Sequence, residues 1–272
     1  MAIVVKFKKR FRRKHKIGLC LSGGGVRGFA HLGAFKAFEE CGIKFDAVAG
    51  TSIGSAFAAF YAADVKFKEF YDICSSVDGK SFVKQRFGIL PSKMDGLSGI
   101  LRETLPYKTI KELKIPYFAV AVDLTSRKEV DFAQGELIPI ITGSCAIPGV
   151  FLPVKYKNMT LIDGGVKNNI PADILLKNGC DYVVSIDCNS TRGGGTSSKH
   201  LWTQFVTSIG IMMVNNSKHG QDLSDILISP NLRRFSSLKL IEKDAMIEEG
   251  YKATMAAMPQ IKRLFEGKIK KK

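Results

Sequence analysis

The sequence lacks several features that define common protein classes. It has no run of about 20 consecutive apolar residues, so a transmembrane helix is not expected. The nearest candidate, residues 47–63, is uncharged but interrupted by glycines and serines. Glycines also follow the basic N-terminus, where a secretory signal peptide would have an apolar run. We therefore expect a cytoplasmic protein whose association with the inner face of the membrane is peripheral.

The sequence also contains no pattern typical of a metal or redox site. Its six cysteines include no C-x-x-C pair and lie mostly in apolar runs, which is typical of reduced thiols in a protein core. Its four histidines do not have the spacing of metal ligands. We expect no metal and no cofactor.

Charge is unevenly distributed along the chain. The 272 residues include 41 Lys and Arg against 25 Asp and Glu, for a net charge of +16. Residues 1–16 carry eight Lys or Arg and no acid, and residues 261–272 carry six Lys or Arg and one Glu. We predict a basic N-terminal extension (1–16), one α/β domain (17–260) and a basic C-terminal tail (261–272). Because the central part is nearly neutral, a nucleic-acid partner is not expected.

Short apolar runs alternate with segments of helical length from Ile17 onward. The predicted strands are Ile17–Leu21 and residues 47–49, 117–124, 182–187 and 225–228. The predicted helices are Phe29–Glu40, Ala172–Lys177 and residues 53–63, 67–77, 137–145 and 199–215. Continuous apolar strands that alternate with helices predict a mostly parallel sheet covered by helices. Residues 119–123 and 129–132 are predicted to form a hairpin.

A glycine-rich turn, GGGVRG at residues 23–28, separates the first strand from the first helix. It fits the G-x-G-x-x-G pattern of dinucleotide-binding proteins. However, the acidic residue that would hold the ribose, Asp46, lies at the start of the next strand. Alternatively, backbone N–H groups at this helix N-terminus stabilise a negatively charged oxygen. A tight turn without a binding role is the third interpretation.

A second motif, GTSIG at residues 50–54, lies between the second strand and the next helix. G-x-S-x-G in this strand–turn–helix context is typical of a nucleophile elbow. The pattern therefore predicts that Ser52 is a nucleophile.

A nucleophilic serine needs a base, and none of the histidines has a distinctive context. His15 lies in the basic extension and His31 in the first helix, whereas His200 and His219 follow every motif. Asp163, in the segment DGGVKNNIP, is a better candidate. Asp-Gly-Gly is also typical of a β-turn, so the local pattern alone leaves both interpretations open.

Four motifs occur in order along the chain: GGGVRG at 23–28, GTSIG at 50–54, SCAIPGVFLP at 144–153 and DGGVKNNIP at 163–171. Taken together, they resemble the patatin-like phospholipase family, the Ser-Asp lipid acyl hydrolases. The similarity extends from about residue 17 to residue 171. It implies a three-layer α/β/α sandwich with a mostly parallel central sheet.

The resemblance also implies roles for individual residues. Ser52 becomes the nucleophile and Asp163 the base, and Arg27 occupies a basic position that either binds substrate or braces the loop. The oxyanion hole is then formed by the backbone N–H groups of the glycine-rich turn, namely Gly23, Gly24 and Gly25.

The activity implied is that of a phospholipase A or lysophospholipase, which cleaves lipid carboxylic esters through an acyl-serine intermediate. With no histidine to donate a proton strongly, ester substrates suit the site better than amides. Two alternatives remain: an acyltransferase or thioesterase on the same scaffold, and a non-enzymatic nucleotide- or nucleic-acid-binding module. Six phenylalanines could line an acyl channel or simply pack in the core: Phe57, Phe60, Phe70, Phe82, Phe87 and Phe151.

The basic N-terminus has an apolar stripe when it is drawn as a helix. The stripe contains Ile3, Val4, Phe7 and Phe11, and the Lys and Arg residues lie mostly outside it. Such a segment is suited to an anionic membrane surface. The alternative is a solvated basic tail without a membrane role.

Overall fold

The computed structural model describes residues 15–76, 92–189, 201–235 and 242–267. Its strands are β1 (Ile17–Leu21), β2 (Ala47–Thr51), β3 (Tyr117–Asp123), β4 (Lys128–Phe132), β5 (Val154–Tyr156), β6 (Met159–Asp163), β7 (Tyr182–Ile186) and β8 (Ile226–Ile228). Its α-helices are α1 (Phe29–Glu40), α2 (Ile53–Ala62), α3 (Phe67–Ser76), α4 (Asp95–Thr104), α5 (Leu137–Ser144), α6 (Ala172–Lys177), α7 (Leu201–Asn215), α8 (Lys218–Leu223) and α9 (Lys243–Phe265).

The strands form one eight-stranded sheet in the order β5-β6-β3-β2-β1-β7-β8, with β4 also paired to β3. Neighbours from β3 through β2, β1 and β7 to β8 are parallel. The antiparallel pairs are β3 with β4, β3 with β6 and β5 with β6. The mostly parallel sheet is therefore confirmed, and β3 and β4 form the predicted hairpin.

Side chains of successive strand residues enter two different cores. In β1, Leu19 and Leu21 contribute to the larger core, whereas Cys20 between them contributes to the smaller one. This alternation follows from the two-residue period of a strand. The larger core contains residues of α1, α2 and α9, and the smaller core contains residues of α6. Helices thus cover both faces of the sheet, which confirms the three-layer α/β/α sandwich.

Helices α1 and α9 pack very closely through glycines. A Cβ atom on Gly33 would lie 1.8 Å from the carbonyl oxygen of Ile247, and one on Gly250 would lie 2.0 Å from that of Ala30. Because both obstructing atoms belong to backbone, neither can rotate away, and a side chain would force the helices apart.

We expect Gly33→Ala to lower the free energy of unfolding by about 1–3 kcal/mol, since overpacked cores lose stability on this scale. Gly99→Ala is the matched control, because Gly99 lies within α4 and its Cβ would meet no atom within 4 Å. Alanine should stabilise that helix by up to about 1 kcal/mol. Urea unfolding of both variants tests the pair, and equal effects would contradict the close packing.

The C-terminal boundary of the domain prediction is wrong. Residue 260 lies inside α9, and Ile261 and Leu264 of the same helix are buried, so the packed domain continues to at least Phe265. Residues 1–14 and 268–272 lie outside the described residues, so the membrane role of the basic N-terminus remains a prediction. Among the helices that the structure describes, none has the length and hydropathy needed to span a bilayer.

Candidate active site

Ser52 lies in the sharp turn between β2 and α2. Its backbone has φ 54° and ψ −133°, a left-handed conformation that is strained for a residue with a side chain. The flanking glycines allow the turn to pack closely against its neighbours. A Cβ on Gly50 would lie 2.3 Å from the carbonyl oxygen of Gly54, and one on Gly54 would lie 2.4 Å from that of Leu21. These contacts explain the G-x-S-x-G spacing.

Two other serines hold the backbone of Ser52 in this conformation. The Ser52 N–H donates to Ser144 Oγ at 2.9 Å, and the Ser144 hydroxyl donates to the carbonyl of Val120. The Ser55 hydroxyl donates to the Ser52 carbonyl at 2.6 Å. The side chain of Ser52 is thus left to face Asp163.

Asp163 reaches Ser52 because two strands meet end to end along one edge of β3. Thr51, the last residue of β2, pairs with Val120, and Asp163, the last residue of β6, pairs with the next residue of β3. Since β2 is parallel to β3 and β6 is antiparallel to it, the carboxyl ends of β2 and β6 point toward each other. The Ser52 hydroxyl donates to Asp163 Oδ2 at 2.6 Å.

The carboxyl group of Asp163 is fully buried and oriented by the turn that follows it. Its other oxygen, Oδ1, accepts a hydrogen bond from the Gly165 N–H at 2.8 Å. Burial raises the pKa of Asp163 to about 7, although the hydrogen bonds from Ser52 and Gly165 act in the opposite direction. The Asp-Gly-Gly segment is therefore a tight turn, and its Gly165 N–H also orients the Asp163 carboxylate, whose basicity is increased by burial.

The glycine-rich turn lies beside Ser52 and is braced on several sides. The Gly23 N–H donates to the carbonyl of Asn169 at 3.2 Å, and the Gly23 carbonyl accepts from Asn189 Nδ2 at 2.6 Å. A Cβ on Gly23 would lie 3.1 Å from Ser52 Cβ. Among the described residues, no acceptor faces the N–H groups of Gly24 and Gly25, and both glycines line the pocket next to Ser52.

This geometry modifies the oxyanion-hole prediction. Because the N–H of Gly23 already has an acceptor inside the protein, it cannot also serve a developing oxyanion. Gly24 and Gly25 can, since their N–H groups lie at the N-terminal end of the turn Gly25–Gly28 and of α1 behind it.

Arg27 braces the protein around this turn. The guanidinium is buried and donates to the carbonyl of Phe235 from Nε at 2.9 Å and from Nη2 at 2.6 Å. These contacts favour a structural role for Arg27, in which it braces the glycine-rich turn, over a role in binding substrate.

The described histidines do not contact Ser52 or Asp163. His31 is buried behind the glycine-rich turn, where its Nε2 lies 3.0 Å from the carbonyl of Ser22. Burial lowers the pKa of His31 to about 4, so the ring is neutral near neutral pH. His219 is exposed on α8 and His15 lies beside Asp181, whereas His200 is outside the described residues.

A pocket of about 110 Å³ opens onto Ser52. Apart from Ser52, Gly24 and Gly25, its walls combine two asparagines with mainly apolar side chains on α7 and the segment after α5. These residues are Ile147, Val150, Asn169, Asn189, Val206, Thr207, Gly210, Met213 and Val214. An apolar pocket with a few convergent polar groups is typical of a small-molecule site.

The sequence matches the profile of a known protein family over more than half of its length. The description "Patatin-like phospholipase" belongs to the family profile that matches residues 19–176. This range contains both Ser52 and Asp163. The chain belongs to the patatin-like phospholipase family. Membership in this family supports a lipid hydrolase function.

Similar proteins occur in bacteria and animals. An NTE family protein of Mycobacterium bovis is 30% identical over 185 residues, covering 66% of this chain and 51% of the relative. Human patatin-like phospholipase domain-containing protein 6 is 31% identical over 188 residues, covering 64% of this chain and 13% of the human protein. The chain thus spans about half the length of the bacterial relative and a smaller part of the human one.

Two solved structures share the fold. VipD from Legionella pneumophila superposes with a TM-score of 0.56 and 16% identity, covering 91% of this chain and 67% of VipD. Human GIVD cytosolic phospholipase A2, in complex with methyl gamma-linolenyl fluorophosphonate, gives a TM-score of 0.50 and 11% identity, covering 94% and 59% of the two chains.

The residues that form the walls of the pocket differ from those that the sequence suggested. The phenylalanines considered for an acyl channel, Phe57, Phe60 and Phe70, pack on one another in the larger core. Phe151 is half-buried against that core, and Phe82 and Phe87 lie outside the described residues. One sequence feature could have indicated these walls: residues 201–215 lie within a predicted helix and include no charged side chain. This helix follows the motifs and supplies five of the residues that line the pocket.

Proposed function

We propose that the chain is a lipid acyl hydrolase of the phospholipase A or lysophospholipase type, which cleaves carboxylic esters through an acyl-Ser52 intermediate. The observation that carries the proposal is the 2.6 Å hydrogen bond from the Ser52 hydroxyl to Asp163, beside a largely apolar pocket. Family membership supports a lipid as the substrate.

The residues of the site suffice for each step of the reaction. Asp163 accepts the proton of Ser52 as Oγ attacks the ester carbonyl carbon, and the N–H groups of Gly24 and Gly25 stabilise the oxyanion that forms. Asp163 then donates this proton to the leaving alcohol, so that acyl-Ser52 remains. In the second half, Asp163 takes a proton from water, which attacks the acyl group and releases the fatty acid while Ser52 regains its proton.

A single carboxylate can perform both transfers because its basicity is raised. An aspartate with an ordinary pKa near 3.9 would be a weak base for a hydroxyl at neutral pH. Burial raises the pKa of Asp163 to about 7. A group with a pKa near the working pH can both accept the serine proton and donate it to the leaving alcohol effectively.

The test is product analysis on defined lipids. The purified chain should release free fatty acid and lysophospholipid, or glycerophosphodiester from a lysophospholipid, in equal amounts. If fatty acid appears only as a new ester when glycerol or another acceptor alcohol is added, the chain is an acyltransferase. If neither product forms from any phospholipid or lysophospholipid, the proposal is wrong.

The pH dependence of hydrolysis should follow the ionisation of Asp163. The base must be unprotonated, and its pKa in the folded protein is about 7. The rate on a soluble ester should therefore rise with pH, reach a plateau above about pH 8 and fall about tenfold per unit well below pH 7. Stopped-flow measurement of kcat/KM from pH 5 to 9 checks this, each value bracketed by a return to pH 8 to show that the protein remains folded. An inflection near pH 4 would contradict the role of burial.

A further inference from the structure

Helix α7 combines two properties that seldom occur together. Its fifteen residues, LWTQFVTSIGIMMVN, include no charged side chain, yet none of them is buried. An apolar helix is normally buried in a protein core or in a membrane, because exposing it to water is unfavourable. This helix therefore lacks the apolar surroundings that its composition requires.

One side of α7 belongs to the active site. Val206, Gly210, Met213 and Val214 line the pocket next to Ser52. Their spacing of three and four residues places them on a single face of the helix.

Large apolar side chains on the rest of α7 face solvent. We call these five residues the outer face: Leu201, Trp202, Phe205, Ile211 and Met212. The rings of Trp202 and Phe205 stack with their centroids 6.1 Å apart. Both lie against Gly149, whose neighbour Val150 lines the pocket. The outer face is thus continuous with the pocket that contains the nucleophile.

The charges flanking α7 favour an anionic partner. In the sequence, no Asp or Glu occurs between Asp187 and Asp222, whereas Arg192 and Lys199 precede the helix. Lys218 follows the helix, and its Nζ lies 3.9 Å from the exposed carboxylate of Asp222. Apolar side chains with an exposed tryptophan, flanked by cations, suit the interface of a membrane that contains anionic lipid. Because the outer face is continuous with the pocket, a bilayer docked on it would present its ester bonds to Ser52.

We propose that the outer face of α7 docks on an anionic lipid surface and delivers lipid acyl esters to Ser52. The proposal rests on the proposed lipid hydrolase function, and it places the docking surface in the folded domain rather than in the basic N-terminus.

The tryptophan of the outer face gives a direct test, because Trp202 is the only tryptophan in the chain. The full chain with Ser52→Ala is mixed with vesicles of phosphatidylcholine and phosphatidylglycerol, so that binding is measured without hydrolysis. We expect the emission to shift to shorter wavelength and to be quenched by phosphatidylcholine brominated on its acyl chains. Vesicle binding in sedimentation without either fluorescence change would overturn the proposal, and so would absence of binding at low salt.

Substitution by glutamate separates docking from chemistry. Met212→Glu in the outer face is compared with Met255→Glu, since Met255 is also exposed on a helix (36%, against 58% for Met212) but lies on α9. We expect Met212→Glu to lower the ratio of vesicle hydrolysis to soluble-ester hydrolysis by about tenfold or more. Met255→Glu should leave this ratio unchanged.

The outcomes distinguish the two proposals. If the parent chain hydrolyses no ester while Trp202 enters the bilayer, the hydrolase function is wrong and the docking surface stands. If Met212→Glu converts a dimer into a monomer in analytical ultracentrifugation and vesicle binding is unchanged, the outer face is a contact between copies of the chain and the docking proposal is wrong.

Discussion

Replacing Ser52 by alanine should reduce ester hydrolysis to the background rate, a loss on the order of 10⁶ if the effect matches that of removing the nucleophile from other serine hydrolases. The physical reason is that Oγ forms the bond to the acyl group. Ser144 and Ser55 hold Ser52 through its backbone, and these contacts do not depend on the hydroxyl. The variant should therefore fold, and circular dichroism with thermal unfolding would establish that it does.

A matched serine variant controls for nonspecific effects. The hydroxyl of Ser76 on α3 is exposed and, among the described residues, donates to the carbonyl of Ile73 alone. Ser76→Ala should retain full activity. If pure, folded Ser52→Ala kept more than about one thousandth of the parent rate, chemistry would proceed without the proposed covalent intermediate.

Replacing Asp163 by asparagine should lower the rate by about 10³-fold or more, because the amide cannot accept the serine proton. The change is nearly isosteric, and Oδ1 of asparagine can still accept from the Gly165 N–H. Since a buried carboxyl is replaced by a neutral group, stability should be kept or increased. Single-turnover hydrolysis of a soluble ester, with unfolding curves for both proteins, gives the measurement.

Histidine variants decide between a dyad and a triad. His219→Ala changes an exposed side chain, and His200→Ala changes the histidine outside the described residues. Both should remain active. A histidine variant as inactive as Asp163→Asn would mean that the base is a histidine and that Asp163 only orients it.

Local sequence signals predicted the elements around the site well. The bounds of β1, α1 and α6 agree with the predictions, because each is a continuous apolar or amphipathic run with a clear start and end. The G-x-S-x-G pattern also predicted the turn at Ser52, since its glycines are required by backbone contacts within that turn. The position of Asp46 agrees as well: its carboxylate accepts from the N–H of Ile17, at the opposite end of β1 from the glycine-rich turn.

Long-range features could not be derived from local patterns. The contact between Ser52 and Asp163 depends on β6 pairing antiparallel with the end of β3, and such a register is set by packing across the sheet. It therefore entered the prediction through family resemblance. Helix α9 was missed because its charged side chains and Pro259 obscure an apolar stripe that becomes clear only when it packs on α1.

The hydrogen bond of the Gly23 N–H is another long-range contact that local sequence patterns do not predict. Gly23, Gly24 and Gly25 are equivalent in the sequence pattern, yet only Gly23 donates to a carbonyl 146 positions further along the chain, that of Asn169. This contact leaves the N–H groups of Gly24 and Gly25 for the proposed oxyanion hole, and no local sequence rule predicts it.

The central claim is that Ser52 is the nucleophile, and covalent trapping tests it most directly. The full chain is treated with an alkyl fluorophosphonate at pH 8, digested and examined by tandem mass spectrometry. We expect one phosphonylated residue, Ser52, no label in Ser52→Ala and labelling slowed by orders of magnitude in Asp163→Asn. Stoichiometric label on another residue, or unlabelled protein that still hydrolyses esters, would contradict the account.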